Sequence, residues 1–124
     1  MQKFRIMAVP GEGTCTLVLS GEADLAVADD IVQLGSLSLD DPATHRLVID
    51  LQAVTFIDSS ALSAFVTLNN LAQGSSCRFE LTHVPHRVQR VLAISGLDQV
   101  FGRLRTDPVA AELPPDPDSL DLAL

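Results

Sequence analysis

"FIDSSALSAF", residues 56–65, places one carboxylate and two adjacent hydroxyls between an apolar segment and a helix-patterned one. Upstream, "RLVIDLQAVTFI" at residues 46–57 is rich in Val, Ile and Leu with few charges, the pattern of a strand buried on both faces. Downstream, Leu62, Phe65, Leu68 and Leu71 recur every three residues, and Gly74 stands where a helix C-terminus favours glycine. The polar residues therefore fall where a strand's carboxyl end turns into a helix. Open α/β sheets recruit ligands and partners at such ends, because a helix N-terminus offers unpaired N–H groups and a partial positive charge.

Working outward, "FRIMAV" at residues 4–9 reads as a first strand, "GEG" at 11–13 as a tight turn and "TCTLVLS" at 14–20 as a second strand. Two short strands joined this tightly pair antiparallel. A helix starts at Asp24, a good N-cap, with Leu25, Ala28, Ile31, Val32 and Leu34 as its apolar face, and fades near Gly35. "SLSLDDPATH", residues 36–45, reads as a linker punctuated by Pro42. A third strand is expected over residues 47–51, a second helix over 59–73 and a fourth strand, "CRFELT", over 77–82. "PHRVQRVLAISG" at 85–96 has Pro at a first helical turn, a stripe of Val88, Val91, Leu92 and Ile94, and Gly96 as a stop. A short fifth strand is expected over residues 100–104. The order predicts a single α/β domain: a mixed, mostly parallel sheet of four to five strands, an N-terminal antiparallel hairpin strand, and three to four packed helices. No internal repeat is evident.

A chain of 124 residues is about one domain and needs no disulfides. Cys15 and Cys77 lie in apolar strand-like runs without metal-ligand spacing and read as free core thiols, which favours a reducing compartment. The start "MQKFRIMAVPGEG" has no signal-peptide core and no run is long enough to span a membrane, so a cytoplasmic protein is expected, without membrane insertion. The net charge of −8 argues against nucleic acid as a direct partner. Residues 107–124 hold Asp107, Glu112, Asp116, Asp118 and Asp121, four of the seven prolines and no Lys or Arg, which leaves residues 1–106 with 8 basic against 11 acidic groups. The folded domain is accordingly assigned to 1–106 and a solvated acidic, Pro-rich tail to 107–124, with 108–113 able to form one helical turn.

Three segments in order and spacing, "LSGEADLAVA" (19–28), "VIDLQAVTFIDSSALSAF" (48–65) and "THVPHRVQRVLAISGLDQVF" (82–101), resemble the STAS domain, and within it the bacterial anti-sigma factor antagonists. The resemblance covers roughly residues 4 to 104. It implies that Ser60 is the phosphoacceptor of a partner that is both anti-sigma factor and serine kinase of the GHKL type, with a PP2C-type phosphatase to reset it. It likewise implies that Asp24, Asp58, Ser59, Ser60 and Ala61 face the partner, and it implies no cofactor. Position 61 departs from the family's usual Gly, and the added methyl is expected to hinder close approach by a kinase. Read without the family, Asp58 or Ser59 caps the second helix, Asp24 caps the first, and Gly21 kinks the chain after the second strand.

Other chemistries find less support. A serine nucleophile would want the Gly-x-Ser-x-Gly elbow, but residues 58–62 read Asp-Ser-Ser-Ala-Leu, and no His is predictably placed as a base; no enzyme is expected. A Gly-rich phosphate loop is absent. His83 and His86 flank Pro85, with Arg87 and Arg90 behind, and His45 stands alone in the linker, so no metal site is expected. Arg87 and Arg90 read as the solvated face of the third helix, and Phe4, Phe56, Phe65, Phe79 and Phe101 as core. A STAS subunit of a transporter or a stress-signalling complex, without a phospho-switch, is the alternative reading.

Overall fold

The computed structural model describes residues 4–101 and 104–106. The chain runs β1 (Arg5–Pro10), β2 (Thr14–Ala23), α1 (Leu25–Asp40), β3 (Arg46–Ile57), α2 (Ser59–Gly74), β4 (Arg78–Val84), α3 (His86–Ser95), a 3-10 turn (Leu97–Gln99) and β5 (Leu104–Thr106). One five-stranded sheet has the spatial order β1-β2-β3-β4-β5, with β1 antiparallel to β2 and the other neighbours parallel. This is the mixed α/β sheet with an N-terminal hairpin that the pattern predicts. The acidic segment 107–124, with its possible helical turn at 108–113, lies outside the described residues.

Period-two alternation sorts the strands into two faces. Leu17 and Leu19, Leu47, Ile49 and Leu51, and Phe79 and Leu81 are buried in one layer, kept in step by the pairs Leu17↔Ile49 and Ile49↔Leu81. Ala28, Ile31 and Leu39 of α1 and Ala61, Leu62, Phe65, Leu68 and Ala72 of α2 complete the same core, which Val88 and Leu92 of α3 join. The opposite face carries the row Met7, Val18, Asp50 and Thr82 and the ion pair of Arg46 Nη2 with Glu80 Oε1 at 3.0 Å. The expectation that β3 is buried on both faces therefore holds only for its first half. Beyond Leu51, Gln52, Ala53, Thr55 and Phe56 are exposed, and a register irregularity separates Val18 from Ser20 against β3.

Several boundaries differ from the sequence reading. β2 and β3 run on to Ala23 and Ile57, β4 covers 78–84 rather than 77–82, and β5 lies at 104–106 rather than 100–104. The largest difference is α1, which passes Gly35 and ends at Asp40. A Cβ at Gly35 would stand 2.5 Å and 2.6 Å from the two methyl carbons of Leu68, so glycine lets α1 lie close on α2 instead of ending the helix. The extra turn is held by Leu39 in the core and by Ser38, whose hydroxyl donates to the Leu34 carbonyl at 3.0 Å and lies 3.1 Å from Cys15 Sγ. Tertiary packing overrides the weak helical pattern of "SLSLD".

Gly74 is the last residue of α2, but the left-handed residue after it is Ser76, at φ 58°. Gly96, at φ 78°, does end α3 as read, and Pro85 is the N-cap of that helix, not a residue of its first turn. Gly21, at φ 93°, bends β2 where its register against β3 shifts, in accord with the kink inferred from sequence. Cys15 and Cys77 are free thiols, partly buried rather than core.

The α1–α2 contact makes a quantitative prediction. Replacing Gly35 by Val drives a branched side chain into buried Leu68 and is expected to lower stability by about 1–3 kcal/mol in urea denaturation. Leu68→Ala in the Gly35→Val background should cost less than Leu68→Ala alone, because the two changes share one space.

Candidate functional site

The carboxyl end of the sheet is built from a repeated device. β2 ends at Ala23 and β3 at Ile57, which lie opposite each other in register, and each is followed by one aspartate and then a helix. Asp24, at φ −126° and ψ −170°, accepts the Ala26 N–H at 3.0 Å and caps α1. Asp58, at φ −120° and ψ −178°, accepts the Ser60 N–H at 2.9 Å and the Ala61 N–H at 3.2 Å through one oxygen, Oδ1, and caps α2. Extended backbone with an aspartate acceptor is the favoured geometry for this position. The Asp58 N–H donates to the Ala23 carbonyl at 3.2 Å, so the two capped helix starts are fastened side by side. Of the two residues that the sequence left open as the cap of α2, it is Asp58.

The next residues divide by depth. Ser59 is exposed, Ser60 is half-buried, and Ala61 is completely buried among core side chains. The Ala61 methyl thus packs beneath the surface, where it cannot block an approaching protein directly. No described residue hydrogen-bonds the Ser60 hydroxyl.

Around the serines the surface is acidic and apolar. Glu22 is exposed and lies in register with Phe56, which is 48% exposed and thus not the core residue its aromatic character predicts. Leu25, assigned to the apolar face of α1, is 74% exposed at the first position of that helix. Neither exposure was legible locally: strict alternation puts Phe56 on the same face as buried Val54, and Leu25 falls within the apolar periodicity of α1.

A third helix start joins this end. α3 begins after Val84 and Pro85, and Arg87 Nη1 donates to the Thr55 carbonyl at 3.0 Å, tying α3 to the last turn of β3. Just before it, His83 adopts a left-handed conformation at φ 53°, in a register irregularity between Leu81 and Val84. Its Nδ1 lies 3.3 Å from Asp50 Oδ2, and the other Asp50 oxygen accepts the Gln52 N–H at 3.0 Å. His83 is thus a strained backbone position held beside a carboxylate. His45 is elsewhere, its backbone N–H bonded to the Gly13 carbonyl at the amino end of the sheet. Among the described residues no group of three metal-ligating side chains forms, and no helix is long and apolar enough to cross a membrane.

The two caps differ in how much they hold. Asp58→Ala removes the acceptor of two helix N–H groups and is expected to cost about 1–2 kcal/mol in urea denaturation, against about 0.5–1 kcal/mol for Asp24→Ala, whose acceptor serves one.

Comparison with known proteins gives concordant results. A family model described as "Mlab, STAS domain" matches residues 7–106. A STAS-domain containing protein of Pseudomonas aeruginosa is 38% identical over 57 residues, 46% of this chain and 56% of that protein, so the match spans little more than half of the relative's length. Among solved structures, an anti-sigma factor antagonist from Mycobacterium paratuberculosis superposes with a TM-score of 0.73 at 23% identity, covering 97% of this chain and 93% of the other. A sulfate transporter family protein from Wolinella succinogenes superposes with a TM-score of 0.68 at 19% identity, covering 78% and 80%. At these identities the superpositions establish the shared fold.

Proposed function

This chain belongs to the STAS domain family, and we propose that within it the chain acts as an anti-sigma factor antagonist in the cytoplasm, switched by phosphorylation of Ser60. The observation that carries this reading is the position of Ser60: half-buried, second in α2, its hydroxyl without a described partner, beside the capping carboxylate of Asp58. In the unphosphorylated state Ser59 and Ser60 offer a small neutral surface between Asp24, Asp58 and Glu22, against which an anti-sigma factor of the GHKL kinase type packs and releases its sigma factor. Ala61 contributes from below by setting the depth of α2.

Phosphorylation adds about −1.5 to −2 charges and three acceptor oxygens at that point. A helix N-terminus ordinarily welcomes an anion through its dipole and its free N–H groups. Here the donors at Ser60 and Ala61 are already taken by Asp58, so a phosphoryl group gains little from them and meets a carboxylate instead. The fold keeps its cap while the interface acquires bulk, a desolvation cost and like-charge repulsion. A phosphatase of the PP2C type restores the binding surface.

The Mlab description of the matching family model and the transporter-family structural neighbour favour a second reading, a STAS subunit of a transporter that binds without a phospho-switch. Affinity capture from the host separates the two by returning a GHKL-type kinase or a transporter ATPase.

For the switch, Ser60→Ala is expected to bind the captured kinase as tightly as the unphosphorylated protein, and Ser60→Asp at least ~10-fold more weakly, a difference of about 1.4 kcal/mol by titration calorimetry. Equal affinities would remove the charge switch. Phosphosite mass spectrometry of protein from growing and stressed host cells should find phosphate on Ser60 whose occupancy changes with condition.

A further inference from the structure

α3 is the only described helix that carries a Lys or Arg, and it carries both of its cations on the side turned from the core. Val88 and Leu92 are fully buried, whereas Arg87, Arg90, Val91 and Ile94 are exposed, Ile94 to 83%. Arg87 and Val91, like Arg90 and Ile94, are four residues apart, so the four form one basic and aliphatic stripe. Arg87 reaches the Thr55 carbonyl, and neither arginine has an ion-pair partner among the described residues.

A complementary segment lies in the same chain. Residues 107–124 carry five carboxylates and no cation, and they combine Asp116, Asp118 and Asp121 with Leu120, Leu122 and Leu124. They follow Thr106, the last residue of β5, which pairs with Val84, two residues before α3 begins. α3 is 10 residues long, about 15 Å. The stretch from 106 to 118 reaches about 40 Å when extended, ample to bring its carboxylates to Arg87 and Arg90. Closing a loop of this length is entropically inexpensive once charge and aliphatic contacts form together.

We propose that residues 107–124 dock on the outer face of α3, with Asp116, Asp118 and Asp121 against Arg87 and Arg90 and the leucines against Val91 and Ile94. The occupant is thus a segment of the same molecule. Since α3 starts at the sheet end that bears Ser60, this segment screens the flank of that surface, and the contact itself stands whether or not Ser60 is phosphorylated.

The test replaces Ile94 with the photo-crosslinking residue p-benzoylphenylalanine in the full chain, with Leu37, 65% exposed on α1, labelled as a control. Illumination of the purified protein should give crosslinks from position 94 into residues 107–124 at monomer mass and independent of protein concentration. The yield should drop ~3-fold or more in 0.5 M NaCl, or when Asp116, Asp118 and Asp121 are changed to Asn, because exposed charge pairs are screened. Crosslinks at dimer mass would assign the face to a second copy, and crosslinks in host cells only to another protein would assign it to a partner; either overturns the proposal. So does an equal yield from position 37, or absence of any crosslink to 107–124 together with unchanged hydrogen exchange of the α3 amides in the Asn variant.

Discussion

Asp58 does three structural tasks from one position. Its backbone N–H, bonded to the Ala23 carbonyl, closes the end of the parallel β2–β3 pair; its Oδ1 starts α2 by accepting two N–H groups; and the helix register so defined sends Ala61 into the core and leaves Ser60 at the rim. A helix N-terminus without such an acceptor leaves donors unsatisfied, and rotating α2 to find other partners would turn Ser60 away from the surface. The same carboxylate is the nearest fixed negative charge to any group added at Ser60. One residue thereby joins the stability of the fold to the electrostatics of the site.

That arrangement depends on the two helices lying close and level. Gly35 permits the approach of α1 to α2, and buried Leu68 fills the space a Cβ would take. Because α1 is anchored at its other end by Ser38 and Leu39, its N-terminus at Asp24 stays beside that of α2 at Asp58. Two dipole ends pointing at one surface would concentrate positive potential there, and the two aspartates offset it. The surface that results is acidic at its caps and apolar at Leu25 and Phe56, a character suited to a protein partner presenting cations around an apolar contact.

The rest of the molecule divides into a dry layer and a wet one. The helix-covered face of the sheet is apolar throughout, while the other face mixes Met7 and Val18 with Asp50, Thr82 and the Arg46–Glu80 pair. Glu80 is nearly inaccessible, and its ion pair meets the need of a buried charge for a hydrogen-bonded partner.

Much of this was legible in the sequence. The order of elements, the hairpin, the start of α1 at Asp24, the start of α2 at Asp58 or Ser59 and the stop at Gly96 follow from local rules: strand alternation, cap chemistry and the left-handed freedom of glycine. These are interactions between residues a few positions apart, so their signal is in the string itself. What tertiary structure alone decided were contacts across distance. Gly35 reads locally as a helix breaker and becomes a helix–helix contact only when Leu68 of another element arrives. Leu25, Phe56 and Ile94 read as core and are exposed, because a side chain's burial depends on which neighbours the fold brings to it and not on its own hydrophobicity. Ala61 departs from the family pattern in sequence, yet its depth in the core, which only packing reveals, determines that its methyl is felt inside the protein and not at its surface.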